Sequence, residues 1–330
     1  MKKLRERAPK EHSQSIRLAV QLAFAMLNVW VGFAFARWVS YIETPGSPAV
    51  PRPPGVEGWL PIAGLMNLKY ALATGSVPRV HPAALFLLVA FLLIALLLKK
   101  AFCSWLCPIG TVSEWLWKLG RKIAGRNLTP PRWLDLVLRG LKYLLLGFFL
   151  WTIVRMPAVA IDEFMRAPYG AISDIKLLQF FRFIGTTGLI VIGVLIALSV
   201  AIQNFWCRYL CPYGALLGIA ALFSPTQITR DANECIDCAK CAKACPARLP
   251  VDVLPRVRSA ECTLCLSCVA VCPAKNALQV KVARRTTMPA WAVAAAIVTI
   301  FLGVVLVARV TGHWDRHVPD DVVRYFLSLG

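Results

Sequence analysis

The most regular feature of the chain is a series of five long apolar runs separated by polar segments. The first run is 23 residues long, and a transmembrane α-helix needs roughly 20 mainly apolar residues. The second run is short and is helped by the apolar residues that precede Cys103. The pattern predicts an α-helical membrane protein with about five transmembrane helices, at Ile16–Trp38, Pro82–Leu98, Leu136–Val154, Ile184–Ile202 and Pro289–Ala308.

The residues before the first run are strongly basic, with charges at Lys2, Lys3, Arg5, Arg7 and Lys10. A cleaved secretory signal also begins with basic residues, and it is the alternative interpretation. The apolar run is longer than that of a usual signal, and no A-x-A cleavage site follows it. We therefore expect residues 1–15 to form a cytoplasmic tail and the first run to be a retained helix.

The distribution of basic residues predicts the orientation in the membrane. If the N-terminus is cytoplasmic, the inner segments hold 26 of the 37 Lys and Arg residues and the outer segments hold 11. Lys and Arg are enriched in cytoplasmic loops of membrane proteins. All twelve cysteines also fall in the inner segments, which suits the reducing cytoplasm. We expect a bacterial cytoplasmic (inner) membrane protein with a cytoplasmic N-terminus and a periplasmic C-terminus.

The apolar composition indicates that the high positive net charge does not serve to bind nucleic acid. The chain is 58% hydrophobic and 16% charged, with a net charge of +20. In a membrane protein, basic loops interact with anionic lipid headgroups. We therefore expect membrane lipid, and not nucleic acid, as the partner of these charges.

A polar segment between the fourth and fifth runs contains two cysteine runs of the same spacing. Each has the form C-x2-C-x2-C-x3-C-P, which is the bacterial ferredoxin pattern. In that pattern, three thiolates bind one 4Fe–4S cluster and the fourth binds the other. The predicted ligand sets are therefore Cys235, Cys238, Cys241 and Cys272 for cluster 1, and Cys262, Cys265, Cys268 and Cys245 for cluster 2.

Zinc is the alternative for these cysteines. Structural zinc sites usually combine two C-x2–4-C pairs that a longer loop separates. Four cysteines within eleven residues, written twice, match that spacing poorly. We expect an inserted cytoplasmic two-cluster ferredoxin module of the α+β class at residues 229–286.

A second cysteine motif occurs at the inner ends of the second and fourth runs. Phe102–Gly110 and Trp206–Gly214 share the pattern aromatic-C-x-aromatic-L-C-P-x-G. This repeat indicates that residues 16–228 are a duplicated transmembrane region. The four cysteines are candidates for a third metal centre or for paired dithiols, and packing at the helix–loop junction is the alternative: Cys103, Cys107, Cys207 and Cys211.

The first outer loop supplies two further candidates, Glu57 and His81. Oxidation of a quinol requires proton acceptors near the membrane surface, and His and Glu serve this purpose. The alternative is that both are solvated loop charges. Glu114, which follows the first C-x3-C-P motif, is expected to be a solvated or helix-capping carboxylate.

Together the motifs resemble the membrane polyferredoxin family, which includes NapH-type, NosR-type and MauN-type membrane 4Fe–4S proteins. The resemblance covers the chain from the first apolar run to about Val282. It implies electron transfer between the quinone pool, cytoplasmic clusters and a partner redox protein. The chain differs from the NosR type because no large periplasmic flavin-binding domain precedes the first run. The family pattern does not assign the C-terminal transmembrane segment (residues 287–309), which contains the fifth run, or the tail (residues 310–330), which is expected to be periplasmic.

The sequence leaves three functional classes open. The first is an electron-transfer subunit that uses quinol or a cytoplasmic donor, with no bond-making catalysis beyond the redox step. The second is an assembly or maturation factor similar to those of copper oxidases, and the third is a redox sensor. All three require the same two clusters, so the cysteines do not separate them.

Overall fold

The computed structural model describes residues 12–44, 46–283 and 285–329, most of which are helical. The basic residues Lys2 to Lys10 of the predicted cytoplasmic tail lie outside the described residues.

The helices of the described residues are, in chain order, α1 (Ser13–Glu43), α2 (Pro61–Thr74), α3 (Pro82–Leu98), α4 (Phe102–Trp105), α5 (Pro108–Ala124), α6 (Arg132–Arg155), α7 (Ala158–Arg166), α8 (Pro168–Ala171), α9 (Ser173–Arg182), α10 (Thr186–Ala201), α11 (Pro212–Leu222), α12 (Lys240–Lys243), α13 (Ser267–Ala270), α14 (Ala290–Val310) and α15 (Asp320–Ser328). A 3₁₀-helix at Val56–Trp59 precedes α2, and a π-helix at Trp206–Leu210 precedes α11. The strands are β1 (Thr226–Arg230), β2 (Leu278–Val282) and β3 (Thr286–Thr287).

A helix occurs at each of the five predicted membrane runs. Within the described residues, three of these helices (α1, α6 and α14) are long and apolar enough to cross a membrane alone. A fourth candidate is the pair α9 and α10, which meet at a bend of 85°. Helix α3 has 17 residues and is short for a span. The chain is thus a membrane protein with three or four candidate spans, and the number five stays a prediction.

Two compact units make up the chain. Unit 1 contains the cysteines and comprises residues 1–25, 91–146 and 193–300. Unit 2 contains Glu57 and His81 and comprises residues 26–90, 147–192 and 301–330.

In unit 1, a three-stranded antiparallel sheet of order β1-β2-β3 closes the ferredoxin segment. The β1–β2 register runs from Thr226 opposite Val282 to Arg230 opposite Leu278. Ile228 and Val280 face each other and are buried, because alternate strand residues point to the same side of a sheet. This pairing joins the two ends of the segment, so both cysteine runs lie between β1 and β2 in one module.

In unit 2, two hydrophobic clusters hold the short helices together. One surrounds Trp38, Val39 and Ile175, and the other surrounds Met66, Ile161 and Met165. The Lys69 ammonium on α2 donates hydrogen bonds to carbonyls at the end of α6, including those of Ile153 (2.9 Å), Val154 (2.7 Å) and Met156. The last carbonyls of a helix lack the regular intrahelical partners, and the Lys69 ammonium supplies donors to them, so Lys69 joins α2 to the end of α6.

Candidate iron–sulfur sites

The ferredoxin cysteines line two separate pockets. Four cysteines from both runs line the first pocket: Cys235, Cys238, Cys241 and Cys272. The other four line the second pocket: Cys245, Cys262, Cys265 and Cys268. In each pocket, the fourth cysteine of one run thus joins the first three cysteines of the other.

The crossed grouping of these cysteines in two sets of four is the arrangement of a two-cluster ferredoxin. No three His, Cys, Asp or Glu side chains in the described part of the chain are arranged to hold a single metal ion. In a zinc site all ligands meet at one atom. In a four-iron cluster each thiolate binds a different iron, so the thiols stand further apart around a larger group. Two pockets that are each lined by four cysteines therefore suit two four-iron clusters.

The backbone of each cysteine run adopts the same unusual conformation. Asp237 and Ala239 have φ angles of 52° and 54° in the first run. At the equivalent positions of the second run, Leu264 and Leu266 have φ angles of 49° and 61°. Positive φ is costly for residues with a Cβ atom. Its repetition at matching positions winds each loop so that its three cysteines face one pocket.

The two pockets differ in their surroundings. In the first pocket Cys238 is exposed, and Arg230 and Asp252 form part of the lining. In the second pocket Cys262, Cys265 and Cys268 are all buried, and much of the lining is apolar. The first pocket thus has a cysteine at the surface, and the second has its loop cysteines enclosed by protein.

The loop that carries the second set of cysteines is bonded to the first C-x3-C-P segment. Four successive carbonyl oxygens, at residues 262–265, each accept a hydrogen bond. The donors are the Lys100 backbone N–H (3.3 Å), the Ser104 hydroxyl (2.6 Å), the Trp105 indole N–H (3.1 Å) and the Gln14 amide (3.0 Å). The ferredoxin module therefore contacts this segment through the loop that carries its second set of cysteines.

Three charged side chains surround this contact. The Glu261 carboxylate, next to Cys262, pairs with the ammonium groups of Lys142 (2.5 Å) and Lys100 (3.4 Å). Burial by itself would raise the pKa of Glu261, but the two lysine charges outweigh burial and lower that pKa to about 2. Glu261 is therefore a carboxylate at neutral pH.

The C-x3-C-P cysteines form a second group of thiols in unit 1. Cys107 and Cys211 are the N-caps of α5 and α11, and their sulfurs accept backbone hydrogen bonds from Gly110 (3.4 Å) and Gly214 (3.2 Å). Cys103, Cys107 and Cys211 all interact electrostatically with Cys207. Burial raises the pKa of Cys107 to about 11 and that of Cys103 further. Without a bound cation, these thiols are protonated at neutral pH.

In unit 2, Glu57 and His81 lie in a buried group of charges. Glu57 is 1% exposed and His81 is 0% exposed, so the alternative that they are solvated loop charges is wrong. The Glu57 carboxylate lies 3.1 Å from the Arg52 guanidinium and 3.6 Å from His81 Nδ1. Burial alone would raise the pKa of Glu57, but the Arg52 charge and His81 outweigh it and lower that pKa.

The sequence did not identify the other members of this group. Asp174 pairs with Arg52 (2.8 Å) and with Arg316 (3.5 Å). These residues come from three distant segments, so no local spacing could have joined them. A usable signal was the occurrence of acidic and basic residues within otherwise apolar outer segments.

The expectation that Glu114 is solvated or caps a helix is also wrong. Glu114 is buried, and its carboxylate pairs with Arg17 of α1 at 2.6 Å and with Lys118 at 2.6 Å. The Arg17 contact spans 97 residues of chain. Glu114 therefore joins α1 to α5. The sequence signal for this ion pair was the presence of a charged residue, Arg17, within the first apolar run.

Comparison with known families agrees with both cysteine patterns. A 4Fe-4S binding domain family matches residues 80–127 and 184–228, which contain the two C-x3-C-P motifs. A 4Fe-4S dicluster domain family matches residues 227–273, which contain the ferredoxin runs. No solved structure matches the chain significantly.

Curated relatives match more than half of the chain. The Escherichia coli (strain K12) protein YccM, whose name proposes a role in electron transport, is 50% identical over 93% of this chain and 88% of its own. The ferredoxin-type protein NapH of the same organism is 30% identical over 55% of this chain and 59% of its own. The methylamine utilization ferredoxin-type protein MauN of Methylorubrum extorquens is 28% identical over 58% of this chain and 62% of its own.

Membrane-length helices, a module with two four-cysteine pockets and near full-length similarity to YccM agree with one another. The chain belongs to the family of membrane polyferredoxin-type 4Fe–4S electron-transport proteins that includes YccM, NapH and MauN.

Proposed function

We propose that the protein is an electron-transfer subunit of the bacterial inner membrane. It passes electrons between the quinone pool, or a cytoplasmic donor, and a partner redox protein. In this proposal the membrane region has five spans, and the N-terminus and ferredoxin module face the cytoplasm. The bound 4Fe–4S clusters supply one-electron carriers. The single observation that carries the proposal is the hydrogen-bonded contact of residues 262–265 with the first C-x3-C-P segment.

The two ligand sets have different tasks in this proposal. Cys245, Cys262, Cys265 and Cys268 hold the cluster beside the membrane region, since their loop is the docked one. Cys235, Cys238, Cys241 and Cys272 hold the cluster that exchanges electrons with a soluble partner. The exposure of Cys238 supports this order, because a short distance to the surface favours transfer to another protein.

Glu57 and His81 are the proposed proton acceptors for a quinol. Oxidation of one quinol releases two electrons and two protons, so a quinol site needs two acceptors or one acceptor used twice. Glu57 and His81 stand 3.6 Å apart, and His81 Nε2 lies 3.0 Å from the Gly170 carbonyl and 3.2 Å from the Ser173 hydroxyl. These contacts hold the imidazole in place beside the carboxylate.

The C-x3-C-P thiols are the proposed site of a third metal centre. Cys103, Cys107, Cys207 and Cys211 are half-buried, interact electrostatically with one another, and have pKa values that burial raises. Metal binding requires the thiolate form, so a bound cation would reverse this effect of burial. The family match to a 4Fe-4S binding domain over both motifs supports a cluster at this site.

The same four thiols support a second candidate function, in assembly or redox sensing. Two thiol pairs next to a docked cluster could pass electrons to a metal ion or a disulfide of another protein. In that case the reductant of the clusters is cytoplasmic, and quinol does not reduce them.

Reduction by a quinol analogue tests the proposal. Anaerobic membranes should show bleaching of the cluster absorbance when a water-soluble quinol is added. The Glu57→Gln variant should slow this bleaching at least about tenfold, because a general base contributes on the order of 10²–10⁴ to the rate. The matched control is Glu163→Gln, an exposed carboxylate of α7, which should leave the rate unchanged. Clusters that dithionite reduces and quinol does not would contradict the quinol route and favour the second candidate.

A further inference from the structure

A buried lysine without a carboxylate partner lies beside the second ferredoxin pocket. Lys99 follows α3 and is 0% exposed. Its ammonium donates a hydrogen bond to the Ala221 carbonyl (3.1 Å). No carboxylate of the described residues lies within 4.0 Å of it, whereas Lys100 and Lys142 both pair with Glu261. A buried charge without an opposite charge is strongly unfavourable, and an anion beside Lys99 other than a carboxylate of the polypeptide would stabilise its charge.

The backbone holds Lys99 against a cysteine of that pocket. Lys99 has a φ angle of 58°, a conformation that is costly for a residue with a Cβ atom. Its N–H donates a hydrogen bond to the Ser224 hydroxyl (3.0 Å). The next N–H, of Lys100, donates one to the Cys262 carbonyl (3.3 Å). Strained backbone persists where the surroundings hold it from several sides, and here it turns the chain against Cys262.

The charges near Cys262 are predominantly positive. Burial has the largest effect on the Cys262 thiol and raises its pKa, while the ammonium groups of Lys99 and Lys100 act on it in the opposite direction. The Arg258 guanidinium also acts on Lys99, and its charge has the same sign. Glu261 is the acidic residue of this group. The first pocket differs, since Arg230 and Asp252 contribute one charge of each sign to its lining.

We propose that Lys99 is the countercharge of the cluster held by Cys245, Cys262, Cys265 and Cys268. It raises the reduction potential of that cluster above the potential of the cluster held by Cys235, Cys238, Cys241 and Cys272. This inference rests on the proposed function, because it assumes both clusters. Reduction adds one electron and therefore one negative charge to the site, without a change in bonds or protons. A buried cation beside the site favours the more negative state.

The difference in reduction potential sets the order in which the two clusters accept electrons. The docked second site would fill first, and the exposed first site would release electrons to a partner only when more reducing equivalents arrive. Lys99 is thus a tuning residue that acts on the site through its charge near Cys262 and does not itself carry electrons.

A redox titration with dithionite, followed by electron paramagnetic resonance, tests this in the full-length protein. Lys99→Met keeps the length of the side chain and removes its charge. It should lower the potential of the second cluster by an amount equal to about a tenfold change in the ratio of reduced to oxidised form, or 59 mV. The first cluster should keep its potential. Lys99→Arg, which keeps the positive charge, should leave the potential of the second cluster close to that of the unmodified protein. Cys238→Ser assigns the signals, since it alters the first cluster alone.

A control variant, Lys122→Met, and a second variant, Lys100→Met, distinguish a failure of the proposal from a failure of the Lys99→Met protein to fold. Lys122→Met removes one exposed charge from α5 and should shift neither potential. If Lys99→Met fails to fold, Lys100→Met replaces it and should lower the same potential. An unchanged potential, or an equal shift of both clusters, with a full iron content would overturn the role of Lys99. An iron content well below two clusters in the unmodified protein would instead contradict the proposed function.

Discussion

The two C-x3-C-P motifs share one sequence frame but bind different parts of unit 1. In the first copy, Ser104 and Trp105 donate hydrogen bonds to the ferredoxin loop, at Thr263 and Leu264. In the second copy, the equivalent residues Arg208 and Tyr209 bind the carboxylate of Asp135 on α6. One copy thus contacts the ferredoxin module, and the other binds Asp135 on the candidate membrane helix α6.

The difference arises at two positions inside each motif. Ser and Trp present neutral donors, which suit backbone carbonyls, whereas Arg presents a charged fork that matches a carboxylate. The backbone differs too, since the first copy is an α-helical turn (Phe102–Trp105) and the second is a π-helix (Trp206–Leu210). The four cysteines keep equivalent places in both copies, so specialisation occurred around the thiols and not at them.

Among the substitutions that separate the two copies, removal of the Asp135 carboxylate should have the largest effect on stability. Asp135→Ala leaves the Arg208 charge buried without its partner, and breaking such a pair costs about 3–5 kcal/mol. We expect a large fall in the thermal unfolding temperature of the detergent-solubilised protein. Asp162→Ala is the matched control, because its pair with Arg166 is largely exposed and such pairs contribute about 0–1 kcal/mol. Equal effects of the two substitutions would contradict the anchoring role of the second copy.

Substitution of the glycine in each motif should have the next largest difference in effect between the two copies. A Cβ atom on Gly110 would lie 2.1 Å from the Cys103 carbonyl oxygen, while one on Gly214 would lie 3.6 Å from its nearest neighbour. Gly110→Ala should therefore lower the free energy of unfolding by about 1–3 kcal/mol, as overpacking does. Gly214→Ala should be neutral or slightly stabilising, since Ala favours helix. A larger loss for Gly214→Ala would show that the two turns do not differ as described.

The aromatic residues should give smaller and local effects. Trp105→Phe removes the donor to the Leu264 carbonyl, and Tyr209→Phe removes the hydroxyl bound to Asp135 (2.6 Å). Each lost hydrogen bond should cost about 0.5–1.5 kcal/mol. Hydrogen exchange should rise at residues 262–268 in the first variant, and around Asp135 in the second. Exchange that rises in the same places in both variants would contradict the division of tasks.

Replacement of the capping cysteines should change stability least. In Cys107→Ser and Cys211→Ser the hydroxyl can accept the hydrogen bond that the sulfur accepts from Gly110 or Gly214, and Ser is a preferred N-cap. We expect unfolding free energies within about 0.5 kcal/mol of the unmodified protein, against a loss of about 1 kcal/mol for the Ala variants. Loss of iron or of electron transfer in the Ser variants would then result from the missing thiol and not from a missing cap.

The sequence predicted the parts of the fold that depend on local pattern. Each of the five apolar runs is helical, and the cysteine spacing placed a ferredoxin module between β1 and β2. The grouping of the thiols in two pockets could be predicted because the ferredoxin pattern has a known crossed arrangement.

The charge pairs could not be predicted in the same way. Arg17 and Glu114 are 97 residues apart, and Arg52 and Asp174 are 122 apart, so their contacts depend on the packing of distant helices. The burial of Glu57 and His81 has the same origin. Charged residues within or beside apolar runs, such as Arg17, Lys99 and Asp135, were the available signal, since such residues are costly in a membrane and are usually paired.

The iron and acid-labile sulfide content of anaerobically purified protein tests the central claim most directly. Two four-iron clusters in the ferredoxin module predict about eight of each per chain. Cys238→Ser should reduce that content, while exposed control substitutions such as Lys122→Met should not. About twelve would add a cluster at the C-x3-C-P cysteines and leave the claim intact. Zinc in place of iron, or an unchanged iron content in Cys238→Ser, would contradict it.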